Sequence, residues 1–448
     1  MSRCAYRARL LYFTDDPREG DGAVYHADGL LLVEGGRVLF RGAYQACAPA
    51  LLRDVPIQHQ AASLIVPGLI DTHVHYPQID MVASPAEGLL PWLSHYTFPT
   101  ERRFADPQHA RATARFFVDQ LLACGTTTAM VYCTVEPDSV DALLEESERR
   151  NMRLIAGKVM MDRDCPDFLR DSAESSYRDS MALIERWHGR GRQLYALTPR
   201  FALTSSEAQL QACAALAQAY PDVFIQTHLA ENVEEVRRVA ERFPTQRSYL
   251  DVYARFGLVR PRAVFGHCLH LDDADRRCMA CHGAVAAHCP TSNLFLGSGL
   301  FDFAAAQRCG LQVSLGTDIG AGTSLSLLQT MNEAYKVARL GGTHLPATRL
   351  FYLATLGAAR ALGLEGQIGS LRPGSEADFV LLDPLATPLL AHRTRQAESL
   401  EELLFALALL GDDRAVAASY VAGRCLHRRD VARPDASAGG HAAVSASS

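Results

Sequence analysis

The chain has 448 residues, enough for more than one ordinary domain or for a barrel with an appended lobe. Hydrophobic residues make up 48%, so a large core can be buried. The net charge is −6, and of 44 basic residues only Lys158 and Lys336 are lysines, which excludes a basic footprint for nucleic acid or an anionic membrane.

The first segment, MSRCAYRARLLYFTDDPREG, lacks the long apolar core of a secretory signal, and no apolar span of transmembrane length follows. Twelve cysteines without export are expected to be reduced, mostly buried thiols of a cytoplasmic protein. Residues 1–65 contain short strand-like pieces, YRARLLYF and GLLLVEGGRVLFRG, with Gly35-Gly36 as a hairpin signal. IGSLRPGSEADFVLLD and AVAASYVAGRCLH, within residues 366–430, share that character around an intervening helix. A small β-sandwich lobe formed by both chain ends is expected, followed by a disordered polar tail over residues 431–448.

Residues 66–365 alternate strands and helices. The strand candidates are IVPGLID, TTTAMVY, RLIAGKVMM, QLYALTP, VFIQTHL, AVFGH, GAVAAH and LQVSLGT. Amphipathic stretches such as ARATARFFVDQLLACG and SSEAQLQACAALAQAY separate several of them. Eight β/α units predict an α/β chain with a (β/α)8 TIM-like barrel, whose chemistry sits at the C-terminal strand ends.

Those ends carry His73 and His75, then Arg200, His228, His267, His288 and Asp318. In DTHVHYPQ the two histidines are two residues apart on one strand, so both imidazoles leave the same face. Taken alone, the pair reads more readily as two surface histidines on a loop. Five imidazoles and a carboxylate converging on one rim favour a borderline-soft divalent metal such as zinc.

With these residues in place, the chain resembles the amidohydrolase superfamily through VPGLIDTHVH, THLAE, VFGH, SLGTD and the lobe segment GSLRPGSEADFVLLD. Within it, HYPQID, LLPWLSHYTFPTERRF, LTPRF, THLAEN, HCPTSNLFLGSG and SLGTDIGAGTSLSLLQTMNEAYKV are similar to the bacterial guanine deaminase family. The superfamily resemblance spans most of the chain. It implies a zinc-dependent hydrolase that converts guanine to xanthine and ammonia by attack of activated water at C2. The alternatives are a related aminohydrolase acting on 8-oxoguanine or another amino-substituted heterocycle, and a non-catalytic scaffold on the same barrel. The retained ligands and Glu231 argue against the scaffold. The H-x-E…P-C-x-x-C route to deamination is absent from the sequence.

Residue by residue, the resemblance implies that His73, His75, His228 and Asp318 hold one Zn2+ per subunit, with Fe2+ suited to the same donors. Three imidazoles and a carboxylate leave a position for water, whose pKa zinc lowers from 15.7 to about 7. Two-metal relatives use a lysine at the end of the fourth strand; ALTPRF has none, which favours a single metal. His267 is expected to orient the water and Glu231 to move its proton, with Asp318 also catalytic. Arg200 suits a carbonyl oxygen, Phe201 a ring face and Gln78 a ring nitrogen or amide-like edge. His75, His228, Glu231 and Asp318 also border the substrate. Glu234 and Glu235 read as exposed first-turn carboxylates. His288 and Asn293 are expected to shape the pocket, and Cys278-Cys281-His282 fits a haem pattern by chance. The partners implied are guanine, water and a second copy of the chain, without nucleic acid or membrane.

Overall fold

The computed structural model describes residues 3–19 and 22–429. The tail expected to be disordered, 431–448, lies outside the described residues.

The N-terminal strands are β1 (Arg3–Phe13), β2 (Ala23–Glu34), β3 (Arg37–Ala43) and β4 (Ile57–Pro67). Gly35 and Gly36 join β2 to β3 with φ of 59° and 80°, a pair of left-handed residues whose twist matches the flanking strands. The barrel strands are β5 (Leu69–His75), β6 (Thr126–Tyr132), β7 (Arg153–Gly157), the short β8 (Val159–Met160), β9 (Leu194–Pro199), β10 (Phe224–Leu229), β11 (Ala263–His267), β12 (Val285–His288) and β13 (Gln312–Leu315). The chain returns to the first sheet with β14 (Phe379–Leu382), β15 (Val416–Val421) and β16 (Arg424–Arg428).

The lobe is one sheet in the order β16-β15-β14-β4-β1-β2-β3, drawn from both chain ends. In a flat sheet β1 and β15, three strands apart, would be separated by about 14 Å. The ring centroids of Tyr6 on β1 and Tyr420 on β15 are 5.0 Å apart, so the sheet folds over onto its own apolar face. Edge strand β3 then meets the far side, with Val38 N donating to Ser375 O at 2.9 Å. This double-layered form is what a small sandwich requires.

The second sheet runs β5-β6-β7-β9-β10-β11-β12-β13, all parallel, with β8 beside β9. Thr72 Oγ1 donates to Leu315 O at 2.9 Å and Asp318 N to His73 O at 2.9 Å, bringing the first and eighth strands together. Helices alternate with the strands. Pro107–Ala123 shows why they dock: Asp106 caps it through Gln108 N at 2.9 Å, and Ala110, Ala114, Phe117, Val118 and Leu121 form its buried stripe.

Two strand boundaries differ from the sequence reading. Ile65, Val66 and Pro67 belong to β4 and pair with β14, so the first barrel strand starts at Leu69 and runs through His75. Gly68 makes the transition, because a Cβ there would lie 2.0 Å from Thr127 Oγ1. RLIAGKVMM breaks at Lys158, whose buried ammonium pairs with Asp171 and donates to Val159 O at 3.3 Å. At the opposite end of the barrel from the site, Arg153 and Arg192 bind Glu376 of the lobe at 2.7 and 2.6 Å. The lobe is thereby tied to the face that carries no chemistry. Among the described residues no helix is long and apolar enough to cross a membrane.

Candidate active site

Strand ends deliver the site. β5 ends in His73-Val74-His75, β10 carries His228, β11 ends at His267, and Asp318 follows β13 by three residues. His267 and Asp318 have φ of 69° and 50°, left-handed values unusual for residues with side chains, and such strain clusters where side chains must be aimed. Asp71 locks two motifs together. It accepts from His73 N at 3.2 Å, from Thr317 N at 3.1 Å and from the Thr317 hydroxyl.

His73, His228, His267 and Asp318 bring one ligating atom each within 4.8 Å of one another. His75 joins them, its Nε2 lying 3.1 Å from His228 Nε2 and 3.2 Å from Asp318 Oδ1. His73 Nε2 is 3.3 Å from Asp318 Oδ1. All five side chains therefore converge, including His267, which the sequence placed beside the metal rather than on it.

The tautomers follow from the partners. A carbonyl only accepts, so His228 donates from Nδ1 to Arg200 O at 2.7 Å, and His267 from Nδ1 to the side-chain oxygen of Asn293 at 2.9 Å. Each Nε2 is then a lone pair aimed into the site, the arrangement in which outer hydrogen bonds orient metal-binding imidazoles. Neither ring nitrogen of the buried His73, nor His267 Nε2, makes a hydrogen bond within the protein. Burial holds the His75 imidazole neutral, down to about 3, and burial with the neighbouring histidines pulls His228 down as well. Burial alone would raise Asp318, but the neighbouring His73, then His75 and His267, hold it well below the usual carboxylate range. The neutral imidazoles of His75 and His228, the ionised Asp318 and the orphaned buried nitrogens fit a divalent metal. A Cβ on Gly266 would lie 2.5 Å from His73 Cε1, so this packing depends on glycine there.

Glu231 stands 3.4 Å from His267 Nε2. Burial, then Asp318 and Glu235, push its carboxyl well up. Glu235 corrects an expectation: it is fully buried rather than exposed, accepting from Glu231 N at 2.9 Å, Asn232 N at 3.1 Å and Tyr249 OH at 2.7 Å. It fixes the turn that aims Glu231. Glu234 does face solvent in part, paired with Arg237 and Arg238.

Gln78, Arg200 and Phe201 line the same cavity as His75, His228, Glu231, His267 and Asp318, around about 380 Å³ of atom-free space that is partly open to solvent. Leu89, Trp92 and Leu93 add an apolar wall from the segment between β5 and β6. Glu101, behind that wall, binds both Arg200 and Gln78. The sequence reading quoted LLPWLSHYTFPTERRF for the resemblance but gave these residues no individual role; in the structure the segment includes a one-residue-wider π turn over Leu93–Thr97. His288 is buried against Phe301 and Phe303 instead of lining the cavity, whereas Asn293 orients His267. Cys278 and Cys281 are free thiols on the helix Asp273–Cys281, remote from the strand-end cluster in the fold.

A barrel with this strand-end His/Asp group defines a metal-dependent hydrolase, and the amidohydrolase family profile matches residues 64–426; the chain belongs to that family. Among curated relatives, guanine deaminase of Escherichia coli (strain K12) is 49% identical over 93% of this chain and 95% of its own length. The solved E. coli guanine deaminase superimposes with a TM-score of 0.93 at 46% identity, covering 96% of this chain and all of that one. Guanine deaminase from C. acetobutylicum, solved with guanine in its active site, gives a TM-score of 0.86 at 26% identity, covering 95% of this chain and 100% of that one.

Proposed function

We propose that the chain hydrolyses guanine to xanthine and ammonia. One observation carries this reading: a single cavity holds the His/Asp cluster and Glu231 together with Gln78, Arg200 and Phe201. The guanine deaminases named above support it. His73, His75, His228 and Asp318 would hold one zinc-type ion, with His267 beside it. The end of the fourth barrel strand, ALTPRF, carries no second-metal lysine, and the buried Lys158 is committed to Asp171. When bound, the ion supplies Lewis acidity that makes a water far easier to deprotonate.

The chain's own groups do the rest. Glu231 takes the water's proton, delivers it to a ring nitrogen and then assists the departing ammonia. His267, its tautomer set by Asn293, keeps an acceptor facing Glu231 and the water. Phe201 covers a face of the base, Arg200 donates to the C6 carbonyl and Gln78 meets a polar ring edge. Leu89, Trp92 and Leu93 exclude bulk water. A cytoplasmic homodimer completes the proposal; the twelve free thiols accord with a reducing compartment.

Ammonia release from a panel of purines, pterins and triazines by metal-replete protein tests the assignment. Guanine should be the fastest substrate by a wide margin; a preferred pterin or triazine would overturn it. Glu231→Gln should retain metal and fold while losing about 10²–10⁴-fold in turnover. Near-normal turnover would assign proton movement to another group, and loss of metal would make Glu231 a ligand.

A further inference from the structure

Glu101 lies on the short helix Phe98–Arg102, outside the cavity lining and only 1% exposed. Its carboxylate oxygens accept from Arg200 Nη1 at 2.9 and 2.8 Å, and Oε1 also accepts from Gln78 Nε2 at 3.2 Å. The Arg200 side chain is itself 3% exposed, and Phe98 from the same helix lies 5.5 Å from its guanidinium carbon. One buried carboxylate thus holds both polar groups assigned to read the substrate.

Two chemical consequences follow. A carboxylate has no proton to give, so Gln78 must turn its NH2 toward Glu101. Its Oε1 is left as an acceptor beside Gly320, where the lack of a side chain leaves it room, since an added Cβ would lie 3.1 Å from that oxygen. The guanidinium charge, which in a poorly solvated wall would attract any anion, is already matched. Arg200 keeps its donor geometry while its charge is cancelled.

The geometry points to Glu101 as a positioning residue that makes the pocket select a neutral purine with an N–H edge and reject anionic purine rings. This rests on the guanine reading for the ligand class. It extends that reading by stating how ring charge is discriminated, through a residue outside the cavity wall.

The test compares wild type and Glu101→Gln, using calorimetric binding of hypoxanthine (neutral) and urate (an anion at neutral pH) and guanine kinetics. Wild type should bind hypoxanthine more tightly than urate. In Glu101→Gln the guanidinium is unmatched and Gln78 is free to flip. Urate affinity should rise about 10-fold or more while hypoxanthine affinity falls, and guanine KM should rise about 10-fold with kcat little changed, the size of one charge-assisted hydrogen bond. Opposite movement of the two ligands is something a merely structural role does not produce. Wild type binding urate as tightly as hypoxanthine, parallel weakening of both ligands in the variant, or no change in either overturns the inference. Glu101→Asp keeps the charge on a shorter stem and covers a Gln variant that does not fold. It should raise guanine KM and still exclude urate, and a gain of urate binding would overturn the charge argument. Failure of wild type to release ammonia from guanine would instead defeat the function reading, and the urate-to-hypoxanthine comparison remains readable without turnover.

Discussion

Replacing His73 with alanine is expected to abolish metal binding and turnover together. The imidazole is fully buried, its two nitrogens have no protein hydrogen bond, and its Nε2 stands 3.3 Å from Asp318 Oδ1. His288 also has both nitrogens buried and unpartnered, so what marks His73 as a ligand is its place in the His/Asp group beside Asp318, where a bound ion would offset the cost of about 1–3 kcal/mol for each unpaired buried atom. Loss of an outer hydrogen-bonding partner of a metal ligand already costs about 10–100-fold in affinity, so loss of His73 itself should exceed that. Elemental analysis should show wild type near one ion per chain and His73→Ala near none, with ammonia release at background. Gly266→Ala should weaken metal binding with every ligand retained, since its Cβ would fall 2.5 Å from His73 Cε1 and push the ring aside. An active His73→Ala protein with full metal would sink the ligand assignment. Two ions per active chain would sink the single-metal reading.

The second large effect is discrimination between bases. Guanine loses its amino group from C2, and its C6 carbonyl lies across the ring, where Arg200 can donate. Adenine places an amino donor at that position, facing a donor. Sites built to hydrogen-bond a substrate group reject analogues lacking it by about 10⁴–10⁵-fold, because the buried polar group is left unpaired. Arg200 is 2% exposed and bound to Glu101 through Nη1, so the condition applies to its remaining N–H groups. Adenine turnover should therefore be negligible beside guanine turnover. Arg200→Ala should lower guanine kcat/KM by about 10-fold to 100-fold, the worth of a charge-assisted hydrogen bond of about 1.5–3 kcal/mol. Equal rates on adenine and guanine in wild type, or unchanged guanine kinetics in Arg200→Ala, would remove Arg200 from substrate recognition.

The amino-acid sequence by itself determined the barrel, its strand order and the residues at its C-terminal rim. Those are local facts: a strand is a short apolar run, and DTHVH, THLAE and SLGTD each place their polar residues at the end of one. The lobe built from both chain ends was legible for the same reason, through glycine-punctuated strand runs before residue 66 and after residue 365. Where the first barrel strand begins was not, because IVPGLID reads as one apolar run. Only the packing of Gly68 against Thr127 divides it between two sheets. Glu235 was misread as exposed because a glutamate at a helix start is ordinarily solvated; only the fold brings Tyr249 against it and buries it. Glu101 lies 99 residues before Arg200, within the segment LLPWLSHYTFPTERRF that carries part of the resemblance, and no local spacing couples the two. Tertiary structure alone decided that the two share a buried ion pair, because a contact between distant segments depends on how the barrel closes and not on the neighbours of either residue.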